Sequence, residues 1–221
     1  MLDTLIHIDG ELLLWINSFH CDFLDPVMRN ISDRWLWIPL YFALFFSIAI
    51  SHRSHTRRLL LVVVTICAVV GLANEISSEL IRHSVQRVRP SQLDNPLSTL
   101  VHVVNGYRGG HYGFPSSHAA NTFALFLSSF LWIRRRIITI TIGLWMLIVS
   151  YSRLYLGVHY PGDVFCGMLL GGVLSLLAYY LLNRYLSKTL TSQEYVITSY
   201  RADLIVPVVF IILVLVALFL F

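Results

Sequence analysis

The chain has 221 residues, 57% of them hydrophobic and only 13% charged, with 13 phenylalanines and a mean hydropathy of +0.71, whereas soluble domains carry roughly 25% charged residues. This excludes a soluble monomer, a disordered or collagen-like chain and a nucleic-acid-binding module, each of which needs polar or charged sequence that is absent. The formal net charge of +4 is small, so where the charges sit says more than their sum.

Residues 1–33 mix Leu5, Leu12, Leu13, Trp15, Ile16 and Phe19 with Asp3, Asp9, Glu11 and Asp22. The stretch is too polar to span a bilayer and apolar enough to lie in its interface, so an amphipathic helix on the outer face is expected. It lacks a basic flank and a small-residue cleavage site, so no secretory signal is expected. Residues 34–221 read as a six-span membrane domain, because apolar windows near 35–51, 59–80, 115–133, 137–152, 163–183 and 204–221 suit a ~30 Å hydrocarbon core crossed by about 20 helical residues. Continuous runs such as LLLVVVTICAVVGLA from Leu59 lack the alternation of a β-barrel. The expected fold is therefore an all-α integral membrane bundle of about six transmembrane helices with an N-terminal amphipathic helix. Cys21, Cys67 and Cys166 are scattered; they form no disulfide or zinc pattern, and the last two read as small buried side chains.

Short basic loops set the orientation. HRSHTRR (52–58), Arg134-Arg135-Arg136 and the 184–203 segment with Arg184, Lys188 and Arg201 fall on one side by alternation, which the positive-inside rule makes cytoplasmic. The 81–114 and 153–162 loops then face outward, yet they hold Arg82, Arg87, Arg89, Arg108 and Arg153. That excess on the wrong side calls for a functional explanation. Asn74 and Glu75 sit near the outer end of the second span, within reach of those arginines.

Three outer segments carry candidate chemistry. In Arg82-His83-Ser84-Val85-Gln86-Arg87-Val88-Arg89-Pro90, a helix continuing to Pro90 would place Arg82 and Arg89 on one face about 20° apart, two forks suited to phosphate. The ordinary alternative is a pair of arginines snorkelling to headgroups. Phe114-Pro115-Ser116-Ser117-His118 follows the glycine-rich NGYRGGHYG (105–113) and has helix-start chemistry, leaving backbone N–H groups at a positive dipole end. In Ser152-Arg153-Leu154-Tyr155-Leu156-Gly157-Val158-His159-Tyr160-Pro161-Gly162-Asp163, Pro161 starts the fifth span, so Asp163 stands where it can hold one imidazole nitrogen of His159 and free the other for attack. Asp163 could equally be a favourable first-turn acid. Together the segments supply charge clamps, a nucleophile, an orienting acid and a proton donor for phosphoryl transfer. A metal site built from His102, His111, His118, His159 and Asp163 is the rival. The clustered arginines would repel a divalent cation, and the histidine spacing matches no zinc signature.

These segments resemble the three signature motifs of the type 2 phosphatidic acid phosphatase superfamily, which includes membrane lipid phosphatases, glucose-6-phosphatase and soluble vanadium-dependent haloperoxidases. The third segment matches SR-x5-H-x3-D at every fixed position, the second carries Ser117 where PSGH has glycine, and the first carries Arg82 where K-x6-RP has lysine. The resemblance covers roughly residues 59–183. It implies a metal-independent, cofactor-free hydrolase working through a phosphohistidine: His159 as nucleophile, Asp163 orienting it, and His118 as acid and then base. Arg82, Arg89, Arg153 and the Ser116 and Ser117 backbone groups would hold the phosphate.

The expected function is hydrolysis of a membrane lipid phosphate or diphosphate at the outer face, as in a bacterial inner-membrane enzyme whose site faces the periplasm or exterior. Undecaprenyl diphosphate ranks first, with Arg87 and Arg108 holding a second phosphate, and lipid A phosphate and phosphatidylglycerol phosphate are the alternatives. A haloperoxidase would be soluble. A transporter or non-catalytic lipid-binding protein would need polar residues through the spans, and here they gather at one mouth.

Overall fold

The computed structural model describes residues 2–51, 56–189 and 201–219. Positions 52–55 of the first basic loop, 190–200 of the last basic segment and the final two residues of the sixth expected span lie outside the described residues. Among the described residues the chain forms nine α-helices and no strand: α1 (Leu2–Asn17), α2 (Leu24–Ile31), α3 (Ile38–Ser51), α4 (Thr56–Glu75), α5 (Arg82–Val85), α6 (Ser117–Ser128), α7 (Arg136–Tyr155), α8 (Pro161–Thr189) and α9 (Ile205–Phe219).

Three helical runs are long and apolar enough to cross a bilayer unaided: Arg57–Val85, Arg136–Tyr155 and Pro161–Lys188. The first joins α4 to α5 through a π-helical stretch, Ile76–Ile81. A fourth crossing is possible as a bent pair, Leu24–Ile31 with Arg34–Ile50, at 65°. Among the described residues each expected window holds a helix, but three are shorter than a full crossing on their own: the 14-residue α3, α6 with its π-helical end Ser129–Ile133, and the 15-residue α9, which at 1.5 Å per residue reach only ~21–26 Å.

Residues 2–31 form two helices with different surroundings. Leu5, Ile8, Leu12 and Trp15 of α1 are exposed, while Leu13 and Asn17 are buried. The Asn17 amide donates to the Tyr155 carbonyl at 2.7 Å and accepts from the His102 N–H at 2.7 Å, tying α1 to the outer loops. In α2, Val27 and Ile31 join the main core with Trp37, Leu40, Trp145 and Phe210. Cys67, expected to be buried, is exposed on α4.

The tightest helix pair sets the site. Gly167 and Gly171 of α8 face α6 so closely that a Cβ would stand 2.4 Å from the Ser116 carbonyl and 2.2 Å from the Ala120 carbonyl. One turn on, Ser175 Oγ donates to the Ala124 carbonyl at 3.1 Å. Small residues at every fourth position let two backbones touch. The outer ends of α6 and α8 are joined by the Ser116 N–H, which donates to the Asp163 carbonyl at 2.9 Å. Replacing Gly171 with leucine should therefore cost about 1–3 kcal/mol of overpacking and lower the melting midpoint in detergent by roughly 2–12 °C. An unchanged midpoint would contradict this packing.

Candidate active site

Each arginine of the outer face reaches the site by its own backbone device. Arg82 follows the π-helical stretch, a distortion frequent at functional sites. Its Nη2 donates to Ser117 Oγ at 3.2 Å and to the Pro115 carbonyl at 3.4 Å. The helix then stops at Gln86, which adopts a left-handed φ of 52°. Arg89 is therefore not on the helical face with Arg82, as the seven-residue spacing predicts. It arrives on extended chain paired with 111–113: the Arg89 N–H donates to the His111 carbonyl (3.0 Å) and the Gly113 N–H to the Arg87 carbonyl (2.8 Å). Its Nε donates to the Tyr112 carbonyl at 3.0 Å, and the loop wraps it so tightly that a Cβ at Gly109 would lie 2.6 Å from Nη1. Arg153, at the end of α7, is 2% exposed. It donates to Ser32 Oγ, and through Nη2 to the Tyr107 hydroxyl at 3.4 Å.

Among the described residues, Arg82, Arg89 and Arg153 have no carboxylate within salt-bridge reach, whereas Arg87 has two: Nη1 lies 2.7 Å from Asp163 Oδ1 and Nη2 2.7 Å from Asp9 Oδ2. Burial, then the neighbouring Arg153 and Arg82, lower the Arg89 pKa to about 10. For Tyr107, burial alone would raise the pKa, but Arg153, Arg29 and Arg89 together hold it below its ordinary value. Two buried guanidinium groups and one half-buried one act on each other without a salt-bridged carboxylate, which is an electrostatic vacancy for an anion.

Beside that vacancy stands the third segment. α8 begins at Pro161, as the sequence predicts, with Asp163 fully buried and His159 1% exposed. His159 Nδ1 is 3.6 Å from Asp163 Oδ2, and the carboxylate is held by the Tyr160 N–H on Oδ2 (3.0 Å) and by Arg87 on Oδ1. Burial, with Arg89, Arg153 and Arg82 adding to it, holds the His159 pKa well below 6.5. The ring is neutral at pH 7, the state in which a nitrogen lone pair can attack. His118, in the first turn of α6, lies close enough to His159 and Arg153 to feel their charges. A cavity of 740 Å³ opens here, lined by Arg34, Arg82, Ser117 and His118, by the polar Asn74, Ser78, Asn121 and Thr122, and by aromatic Trp35, Trp37, Tyr41 and Trp145.

The partners differ from the sequence expectations at two places. The Ser116 backbone N–H is engaged by the Asp163 carbonyl, and its hydroxyl caps α6 at the Ala119 N–H, so Ser116 builds the helix junction. The Ser117 N–H, in the first helical turn, has no intrahelical acceptor. Arg87 is clamped between Asp9 and Asp163, and Arg108 turns back to donate to the Ser91 carbonyl, so both have partners within the fold. The rival metal set is not gathered either: His102 pairs with Asp25 at 2.7 Å and His111 with Asp94 at 3.4 Å. Among the described residues no group of three or more His, Cys, Asp or Glu side chains is arranged to hold a metal. Sequence reasoning missed Asp9, Ser32 and Tyr107, which lie outside the three motifs and reach the site only through tertiary contacts.

Residues 58–187 match the PAP2 superfamily. A lipid A 4'-phosphatase of Bacteroides thetaiotaomicron is 38% identical over 184 residues, 83% of this chain and 81% of that protein. An undecaprenyl-diphosphatase of Sulfolobus acidocaldarius is 30% identical over 177 residues, 76% of this chain and 75% of that protein. A PAP2-type phosphatidylglycerolphosphate phosphatase from Bacillus subtilis, solved by crystallography, shares the fold with a TM-score of 0.59 at 21% identity, covering 82% of this chain and 87% of the other.

If the three unpaired arginines form an anion site, inorganic phosphate or vanadate should stabilise the purified protein by about 2.7 kcal/mol at a hundredfold excess over its Kd, seen as a rise in melting temperature. Arg153→Met should abolish the rise, and Arg108→Ala should keep it. A rise that survives in Arg153→Met would contradict the assignment.

Proposed function

The chain belongs to the PAP2 superfamily and is a membrane lipid phosphatase, and from that premise we propose that it hydrolyses a sugar-linked phosphomonoester of the lipid A type. One observation carries the choice of a monoester. Of the two arginines expected to hold a second phosphate, Arg87 is clamped between two carboxylates and Arg108 donates to the Ser91 carbonyl, which favours a single phosphate on Arg82, Arg89 and Arg153. This displaces undecaprenyl diphosphate, the first expectation from the sequence. The 38% identity to a protein named lipid A 4'-phosphatase, against 30% for one named undecaprenyl-diphosphatase, points the same way. The adjoining cavity, with amides and hydroxyls on one side and aromatic rings on the other, suits a sugar headgroup better than a glycerol or prenyl chain.

In this reading Arg82, Arg89, Arg153 and the Ser117 N–H hold the non-bridging oxygens. Asp163 faces Nδ1 of His159, so Nε2 attacks phosphorus. The N–P bond forms as the ester P–O bond breaks, and His118 gives its proton to the departing sugar oxygen. The entering dianion favours that protonated state. His118 then takes a proton from water, whose oxygen attacks the phosphohistidine, releasing inorganic phosphate and restoring His159. Catalysis rests on placement and charge. The exposed apolar side of α1 lies in the outer membrane interface, and the site opens on the periplasmic side of an inner membrane.

The test is phosphate release from purified lipids with chelator present. Lipid A phosphate should be hydrolysed faster than undecaprenyl diphosphate or phosphatidylglycerol phosphate, and His159→Ala should lower the rate by roughly 10³-fold or more. Faster turnover of undecaprenyl diphosphate would overturn the substrate assignment.

A further inference from the structure

The family match begins at residue 58, yet a side chain from residue 9 reaches the innermost part of the site. Asp9 Oδ2 accepts from Arg87 Nη2 at 2.7 Å, and Asp9 Oδ1 accepts from the Gly162 N–H at 2.7 Å. The other arm of the same guanidinium, Nη1, donates to Asp163 Oδ1 at 2.7 Å, and its plane lies 3.8 Å over the Tyr160 ring. Arg87 is thus a bridge between two carboxylates, one on α1 and one on α8. The contacts are desolvated: side-chain exposure is 15% for Asp9, 24% for Arg87 and 1% for Asp163, so solvent screens them little. The approach requires glycine at 162, where a Cβ would stand 2.8 Å from Asp9 Oδ2.

We propose that Asp9 is a positioning residue of the catalytic apparatus, acting through Arg87 on Asp163; this rests on the reading that His159 attacks and Asp163 supports it. The argument is one of charge and direction. A ring that attacks phosphorus gains positive charge, which Asp163 stabilises only if its own charge is available. Arg87 alone would cancel it. With Asp9 on its other arm, Arg87 is shared, and the three groups together carry one net negative charge next to His159. Clamping also prevents Arg87 from swinging toward the incoming phosphate dianion, which would otherwise compete with Asp163 for its fork. Held by Arg87 on Oδ1, Asp163 keeps Oδ2 turned to the Tyr160 N–H and His159 Nδ1. α1 therefore completes the site as well as lying beside it.

The experiment compares kcat and KM on a lipid phosphomonoester for the full chain and its variants, each taken from a monodisperse detergent peak. Asp9→Asn, which keeps an acceptor for the Gly162 N–H but loses the charge, should lower kcat at least tenfold with KM within about twofold. Asp9→Asn combined with Arg87→Met should be no slower than Asp9→Asn alone, because both act on one path. Native kcat in Asp9→Asn, or a double variant whose loss is the product of the two single losses, would overturn the proposal. Should Asp9→Asn fail to fold, Arg87→Lys asks the same question, since one ammonium cannot clamp two carboxylates from opposite arms. A fall in kcat at constant KM supports the bridge, and native kcat overturns it. A native chain that releases no phosphate from any lipid would instead remove the underlying reading of function.

Discussion

Three buried or half-buried arginine side chains stand together with no carboxylate among the described residues in salt-bridge contact with them, and most of the site follows from that imbalance. Removing charge from water is costly unless it is paired, so such a cluster persists only because the surrounding chain holds it. Arg153 is fixed by Ser32 and Tyr107, Arg89 by the Tyr112 carbonyl and the glycine-rich loop, and Arg82 by Ser117. Burial first, and their field in addition, keep His159 deprotonated. The arginines that attract a phosphate thus also help to leave the nucleophile ready. Arg87 is the contrasting case: paired twice, it belongs to the scaffold of the nucleophile.

The scaffold meets this demand by bringing two helix starts together. The small-residue contact of α6 with α8 sets their outer ends side by side, and the Ser116-to-Asp163 backbone bond locks them. The His118 turn and the His159–Asp163 turn therefore face one pocket. α5 contributes Arg82 directly after a π-helical stretch, which shifts the phase of the helix just before that residue, and α1 closes the far side through Asp9.

How much of this was legible in the sequence differs by residue. The SR-x5-H-x3-D segment could be read directly, because proline is favoured at the first position of a helix and the spacing of His159 and Asp163 is local. The Arg89 position could not be read from helical phase: Gln86 turns left-handed and the chain pairs with 111–113, a non-local event. Arg87 and Arg108 looked like spare charge because a sequence shows the side chain but not its partner. Asp9 looked like one more polar residue of an amphipathic helix, and its role depends on a contact spanning 78 residues to Arg87. The six expected apolar windows hold helices, but where each helix stops was not legible, since hydropathy records apolar length and not where capping or a π-helical end stops the helix.

The central claim is that a phosphate drawn in by unpaired arginines is transferred to His159. The most direct measurement is to react the purified protein with a lipid monoester carrying labelled phosphate, quench within a single turnover, and locate the label. The account predicts a base-stable, acid-labile phosphoryl group on the peptide containing His159, absent from His159→Ala. Label on a serine or carboxylate, or phosphate release at native rate with no labelled protein in a quench fast enough to resolve one turnover, would contradict it.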